Sequence, residues 1–280
     1  SNKNKVLKST DMGVTYNGFV DLPGNANAKI KISISPTCAD CIFASSDNGI
    51  WKSADAGLTY TTIQNPPPAG VALWQAMPND LDTTKFVSGY VDLFRSEDSG
   101  ATFNQCTWWS LGTNNGGGTF QQNFSTSTHY VHADTNYLDC VNGVFYTCTD
   151  GFLSKSTDNG VTWQKLSLSV GIRENYCVGT SQSNQFVSIC GSQDNGTSIK
   201  NQSGWIEAYG ADGMEGIVLP LNPDYMIGST QYGGRGRYTD GTGAGRTGIT
   251  PPGQDGSWVA PLFFDPNNQM TVYSLGVKVH

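Results

Sequence analysis

The sequence predicts an all-β protein, a β-propeller of four-stranded blades, on three observations. An eight-residue motif, Ser156-Thr157-Asp158-Asn159-Gly160-Val161-Thr162-Trp163, has three further copies: Ser9 to Tyr16, Ser53 to Tyr60 and Ser96 to Phe103. Their aspartates, Asp11, Asp55, Asp98 and Asp158, stand 44, 43 and 60 residues apart, and periods in the forties built from short strands mean propeller blades. The composition agrees: 37% apolar residues provide a core, 14% charged residues and 34 glycines among Ser, Thr and Asn give short runs separated by tight turns, and few stretches carry a helical period.

Each copy has a local logic that needs no ligand. The aspartate accepts backbone N–H groups across a turn, the glycine supplies a positive φ, the first serine closes a second side-chain bond, and the final aromatic packs into the layer beneath. With these turns as rulers, one blade occupies strands 29–34, 42–45, 50–53 and 59–63, the next 71–77, 86–90, 93–96 and 102–105, and a third 129–138, 144–147, 152–156 and 162–166. A fourth spans about 175–208 and a fifth about 214–249, both without a clean copy of the motif. The long third interval carries an insertion at 108–128, rich in Gly, Asn and Thr.

At the ends, 6–9 and 15–20 read as two outer strands, while 258–264 and 271–277 read as two inner ones. Together they make a sixth blade, so residues 1–280 form one domain whose ring closes by pairing N-terminal with C-terminal strands and leaves no edge exposed. The alternative is a piece of a ring of seven or more blades within a larger polypeptide.

The motif S-x-D-x-G-x-T-[WYF] resembles the Asp-box, or BNR repeat, of sialidases, sortilin-type receptor domains and oligoxyloglucan-hydrolysing propellers. That resemblance implies that the box joins the third and fourth strands of a blade on the face opposite the functional one, so the repeats are scaffolding. His132-Ala133-Asp134, Asp150-Gly151-Phe152 and Gln193-Asp194-Asn195-Gly196 are similar to the HxD, DGG and QDNG elements that recur together in secreted sortilin-like, glycosidase-related proteins. The middle element departs from the pattern in its second glycine. A sialidase reading would require three convergent arginines and an early Arg-Ile-Pro element, which this chain lacks.

If the boxes mark one face, the loops between second and third strands, and those joining one blade to the next, open on the other. They read Asp47-Asn48, Val91-Asp92, Asp150-Gly151, Gln193 to Gly196 and Tyr232 to Arg235, with connections bearing His129, His132 and Asp134, then Arg173 and Glu174, then Asp212 and Glu215. Asp-Gly and Asn-Gly are ordinary turn chemistry. Several acidic loops converging on one axis would in addition repel one another unless a cation, an arginine or a substrate relieved them. In a strand, His132 and Asp134 would share one face and could act as a pair. The binding candidates are therefore His132, Asp134, Arg173, Asn195, Tyr232 and Arg235; the catalytic candidates are Asp150, Asp194, Asp212 and Glu215. Trp74, Trp108, Trp109 and Tyr90 join Tyr232 as aromatics able to stack on a sugar or anchor a peptide. Calcium is the ion such oxygen ligands would take, whereas zinc needs more nitrogen or sulfur.

The formal charge of −7 argues against nucleic acid, and no run approaches the roughly 18 apolar residues that cross a bilayer. No leader opens the chain, which is read as mature or excised. Of seven cysteines, Cys38 with Cys41, Cys140 with Cys148 and Cys177 with Cys190 read as disulfides, leaving Cys106 over. Cys38-x-x-Cys41 as half a zinc site finds no second CxxC and no nearby His. Disulfides imply an extracellular or cell-surface setting. The functional reading is a binding or adhesion propeller for a glycan or an extracellular protein. The alternatives are a glycoside hydrolase working with two carboxylates and a structural module of a larger surface protein.

Overall fold

The computed structural model describes residues 5–16, 19–22, 30–46, 49–64, 75–112, 127–166, 173–253, 256–265, 267–268 and 270–276. They form an all-β propeller architecture of four-stranded antiparallel blades. The first blade is β3 (Lys31–Ser35), β4 (Cys38–Ser46), β5 (Gly49–Ser53) and β6 (Thr61–Gln64); the second is β7 (Gln75–Pro78), β8 (Phe86–Gly89), β9 (Leu93–Ser96) and β10 (Asn104–Gln105). The third is β11 (Thr135–Val141), β12 (Val144–Thr149), β13 (Leu153–Ser156) and β14 (Gln164–Lys165). Before them lies a pair, β1 (Lys5–Leu7) with β2 (Phe19–Asp21).

A second compact unit holds β15 (Asn175–Thr180), β16 (Ser188–Ser192), β17 (Gly196–Asn201) and β18 (Gly204–Tyr209) as one blade. The next is β19 (Gly213–Val218), β20 (Met226–Thr230), β21 (Arg235–Tyr238) and β22 (Thr247–Gly248), followed by the pair β23 (Leu262–Phe264) and β24 (Val272–Ser274). Among the described residues no helix is long and apolar enough to cross a membrane.

The core lies between consecutive blades, as stacked sheets require. Cys41, Phe43 and Ile50 of the first blade pack on Ala76 and Phe86 of the second, with the Phe43 and Phe86 rings edge to face at 5.0 Å. Met77, Val87 and Leu93 of the second pack on Leu138, Phe145 and Trp163 of the third. In the other unit Ile189 and Ile199 meet Val218, Met226 and Tyr238 in the same way.

The four repeat turns are superimposable in their bonding. In the third blade, Ser156 Oγ donates to Asp158 Oδ1 at 2.8 Å, Thr162 N to the same oxygen at 2.9 Å, and Thr162 Oγ1 to Oδ2 at 2.6 Å. Gly160 N in turn donates to Ser156 Oγ at 2.8 Å. Equivalent bonds surround Asp11, Asp55 and Asp98. The residue before each glycine, Met12, Ala56, Ser99 or Asn159, is left-handed at φ 57–62°, and the glycine follows at 83–88°. The bonds hold the aspartates ionised, with Asp11 and Asp55 both lowered to about 2 and Asp98 and Asp158 also below the usual carboxylate range. Tyr60, Phe103 and Trp163 pack against the preceding sheet as expected, whereas Tyr16 stands 60% exposed.

Cys38 and Cys41 form a disulfide. The other two expected bridges are not formed: Cys140, Cys148, Cys177 and Cys190 are free thiols, as is Cys106. Strand register explains why. Cys140 stands opposite Phe145 and Cys148 opposite Tyr137, so the two thiols lie three residues apart along the pairing and on opposite faces of the sheet. Cys177 faces Gly191, and its neighbour Cys190 points to the other side.

Candidate functional site

In each complete blade of the first unit the repeat turn joins the third strand to the fourth. Antiparallel pairing then puts the loop between second and third strands, and the connection from the preceding blade, at the opposite end of the sheet. That end carries the candidate residues.

In the first unit, Asp92 lies in the loop after β8. Its carboxylate accepts Trp109 N at 2.6 Å and Gln105 Nε2 at 3.1 Å, and burial raises its pKa despite those bonds. It thereby ties down the short helical turn Trp109–Gly112, which opens the insertion; Trp108 N donates to His129 O at 3.0 Å. Residues 113–126 of the insertion, Trp74 and the Asp47-Asn48 loop lie outside the described residues.

His132 and Asp134 do not share a strand face. They precede β11, and Asp134 takes a left-handed conformation at φ 61°, which breaks the alternation the sequence reading assumed. His132 is buried, its Nδ1 within 3.1 Å of Ala133 O and its ring edge to face with Phe152. A Cβ on Gly151 would fall 2.4 Å from that ring, so this glycine exists to admit the histidine. Asp150, expected as a catalytic acid, is exposed and receives the Asn136 side-chain amide.

In the second unit, Arg173 is a clamp. Its Nη2 reaches Glu207 Oε1 at 2.6 Å and Asn195 O at 3.2 Å, its Nη1 bonds Ser198 Oγ, and Ser198 Oγ donates onward to Glu207 Oε2 at 3.0 Å. This half-buried pair fixes the loop of Gln193, Asp194 and Asn195. Asn195 Nδ2 donates to Gln193 O at 2.9 Å, and Asp194, left-handed at φ 55°, donates its amide to Asp212 Oδ1 at 2.8 Å. Asp212 N in turn donates to the Gln231 side-chain Oε1, and Asp212 O accepts from Gln231 N, both at 3.2 Å. Glu215 lies within β19, where its amide donates to Ser229 Oγ at 3.0 Å.

The same end brings together three aromatics. Trp258 Nε1 donates to Tyr176 Oη at 3.0 Å, Tyr176 Oη donates to Gln193 Oε1 at 2.6 Å, and the Tyr232 and Trp258 rings meet edge to face at 5.3 Å. All three rings are partly open to solvent, Tyr232 the most at 59%. Tyr232 holds the αL conformation (φ 59°, ψ 22°), which is costly for an aromatic residue and is kept by Tyr232 N bonding Trp258 O at 3.3 Å and Gly256 N bonding Tyr232 O at 2.8 Å. Sequence reasoning named Tyr232 and missed Tyr176 and Trp258. No local pattern marks a tyrosine and a tryptophan 82 residues apart as neighbours.

No family model and no curated protein sequence matches the chain. Among solved structures, YCF48 from Cyanidioschyzon merolae is 13% identical over 98% of this chain and 86% of its own, with a TM-score of 0.40. A structure of YCF48 bound to D1 peptide is 10% identical over 98% of this chain and 84% of its own, with a TM-score of 0.42. The GH74 xyloglucanase from Xanthomonas campestris is 14% identical over 89% of this chain and 44% of its own, with a TM-score of 0.34. The blade architecture rests on the strand pairing itself.

Proposed function

We propose that the chain is a binding propeller of the cell exterior, a single ring through residues 1–280, that recognises a glycan or an extracellular protein at the loop end of its blades. The observation that supports this reading is the corner formed by Tyr176, Tyr232 and Trp258. It combines open aromatic faces with the adjacent Gln193 amide, and it is anchored by hydrogen bonds instead of by burial. Aromatic side chains kept at the surface in a fixed and partly strained geometry are the usual means of stacking on a sugar ring or seating a peptide side chain.

A hydrolase reading would assign two of Asp150, Asp194, Asp212 and Glu215 as acid and base or nucleophile. Two of them have a local use instead: Asp150 receives the Asn136 side-chain amide, and Asp212 receives the Asp194 backbone amide. The test is a glycan array and a peptide library probed with the parent and with Trp258→Ala, beside a hydrolysis assay on the oligosaccharides that bind. Binding lost in Trp258→Ala with no turnover by the parent supports the binding reading. Turnover that disappears in Asp150→Asn/Asp194→Asn overturns it in favour of the hydrolase.

A further inference from the structure

In the corner of Tyr176, Tyr232 and Trp258, two of the three ring donors are already used. Trp258 Nε1–H is donated to Tyr176 Oη, and the Tyr176 hydroxyl to Gln193 Oε1. What Trp258 and Tyr176 turn to solvent is therefore π surface, at 39% and 36% exposure, beside the more open Tyr232. An indole that donates its N–H gains electron density over the ring, and hydrogen bonds in a chain polarise one another. The Tyr232 and Trp258 planes meet at 81°, which makes two walls for a compact group instead of one platform for a flat one.

The segments that carry these rings are acidic. Gln193 N donates to Glu174 O at 3.0 Å, and Gln231 N, next to Tyr232, donates to Asp212 O at 3.2 Å. Asp212 Oδ1 also receives the amide of Asp194, the neighbour of Gln193, and Glu174 is exposed. The two arginines of the same segments are bonded within the fold, Arg173 to Glu207 and the buried Arg235 to Leu275 O. Negative π-faces with carboxylates around them attract a cation and repel an anion.

The same unit already seats a cation in this way, with Arg246 Cζ 3.7 Å from the centroid of the Tyr209 ring. The aromatic corner is open, so a free ammonium ion there would keep much of its water. A basic side chain tethered to a peptide brings further contacts along the loop end and raises its own effective concentration.

We infer that the corner receives a basic side chain, a lysine or an arginine of an extracellular peptide segment, held against the Trp258 and Tyr232 faces and drawn in by Glu174 and Asp212. This rests on the binding reading above and narrows it from a glycan or a protein to a cationic peptide.

The experiment screens the protein against heptapeptides with randomised flanks and lysine, arginine, norleucine or glutamate fixed at the centre, and titrates the strongest binders by fluorescence anisotropy at low and high salt. Exchanging the central lysine of a binder for norleucine should weaken it about tenfold, and high salt should weaken the lysine peptide more than the norleucine one. Trp258→Ala should abolish the preference for lysine. Glu174→Gln/Asp212→Asn should cut the lysine-to-norleucine ratio about threefold while the norleucine peptide binds as before. If that double variant does not fold, the ratio in the parent and its salt dependence decide. Equal binding of lysine and norleucine peptides, or a library with no lysine- or arginine-centred binder, overturns the inference, as does a lysine preference that Trp258→Ala retains in full. The binding reading fails separately: Trp258-dependent capture of neutral oligosaccharides by a protein that ignores basic peptides keeps that reading and discards this one, whereas loss of both removes the two together.

Discussion

Gln75 and Leu138 exchange two hydrogen bonds: the Gln75 side-chain amide donates to Leu138 O and its Oε1 accepts from Leu138 N, both at 3.0 Å. A side chain of the second blade thus completes the inner strand of the third as a neighbouring backbone would. The first and second blades are joined by the same device, with Ala76 N donating to Ser45 Oγ at 2.9 Å and Ser33 Oγ to Ala76 O at 3.1 Å. In the first unit the inner strands of successive blades belong to separate sheets, and buried polar side chains bridge them.

Gln75→Ala should therefore orphan a buried donor and a buried acceptor at once, lowering stability by about 2–4 kcal/mol. Urea unfolding followed by tryptophan fluorescence measures this. A loss within experimental error of zero would mean that water replaces the amide.

The second unit uses glycines where the first uses side chains. A Cβ on Gly191 would lie 2.0 Å from Met214 O and 2.5 Å from Met214 N, which is backbone and cannot step aside. Gly191→Ala should cost about 3 kcal/mol or leave the chain unfolded, while Gly210→Ala, with nothing within 4 Å, should be close to neutral. Equal melting temperatures for the two variants would place blades four and five farther apart than described.

The repeat aspartates give a pH dependence of known sign. Their folded pKa values lie below the unfolded ones, with Asp11 and Asp55 at about 2, so the stability they confer is fully present above about pH 4 and is lost as the pH falls toward about 2. Between pH 5 and 7 they contribute no slope. Asp55→Asn should flatten the acid limb of a plot of melting temperature against pH. An unchanged limb would assign acid unfolding to other carboxylates, such as Asp80, which accepts Asn142 N and Gly143 N at 2.7 Å each.

Thiol reactivity tests the corrected cysteine assignment. Burial pushes the Cys106 and Cys140 thiols up to about 12, whereas Cys148 is exposed. Iodoacetamide at pH 8 should label Cys148 in the native protein, Cys106 and Cys140 only after unfolding, and Cys38 and Cys41 only after reduction. Alkylation of Cys38 without reductant would remove the disulfide, and with it the argument for an oxidising compartment.

The parts of the fold that the sequence made legible are those encoded within a few residues. The turn around Asp158 is written in eight consecutive positions, and the Asn142-Gly143 hairpin is announced by two residues that accept φ 53° and 77°. What depends on register or on long-range packing was not legible. Cys177 and Cys190 sit on paired strands yet face opposite sides, a one-residue offset that spacing cannot reveal. His132 and Asp134 would have shared a face in a strand, but the chain turns left-handed at Asp134. Arg235 reads as a binding residue of a glycine-rich loop, whereas the structure buries it with its guanidinium on Leu275 O.

The two ends of the blades should respond differently to substitution. Asp158→Ala removes an acceptor that binds Ser156, Thr162 N and Thr162 Oγ1, in a turn that also receives Asn79 Nδ2 and Arg95 Nε of the second blade through Asn159 at 2.7 and 3.0 Å. It should lower stability by about 1–3 kcal/mol and leave the affinity for any ligand unchanged below the melting transition. Trp258→Ala should do the reverse. It loses the bond to Tyr176 and the ring contact with Tyr232 on an open surface, so the melting temperature moves little while binding at the loop end falls at least tenfold. Calorimetry and a binding titration on the same two variants are sufficient. If Asp158→Ala abolishes binding in a protein that still melts like the parent, the repeat turns form the working surface and the assignment of the two ends is reversed.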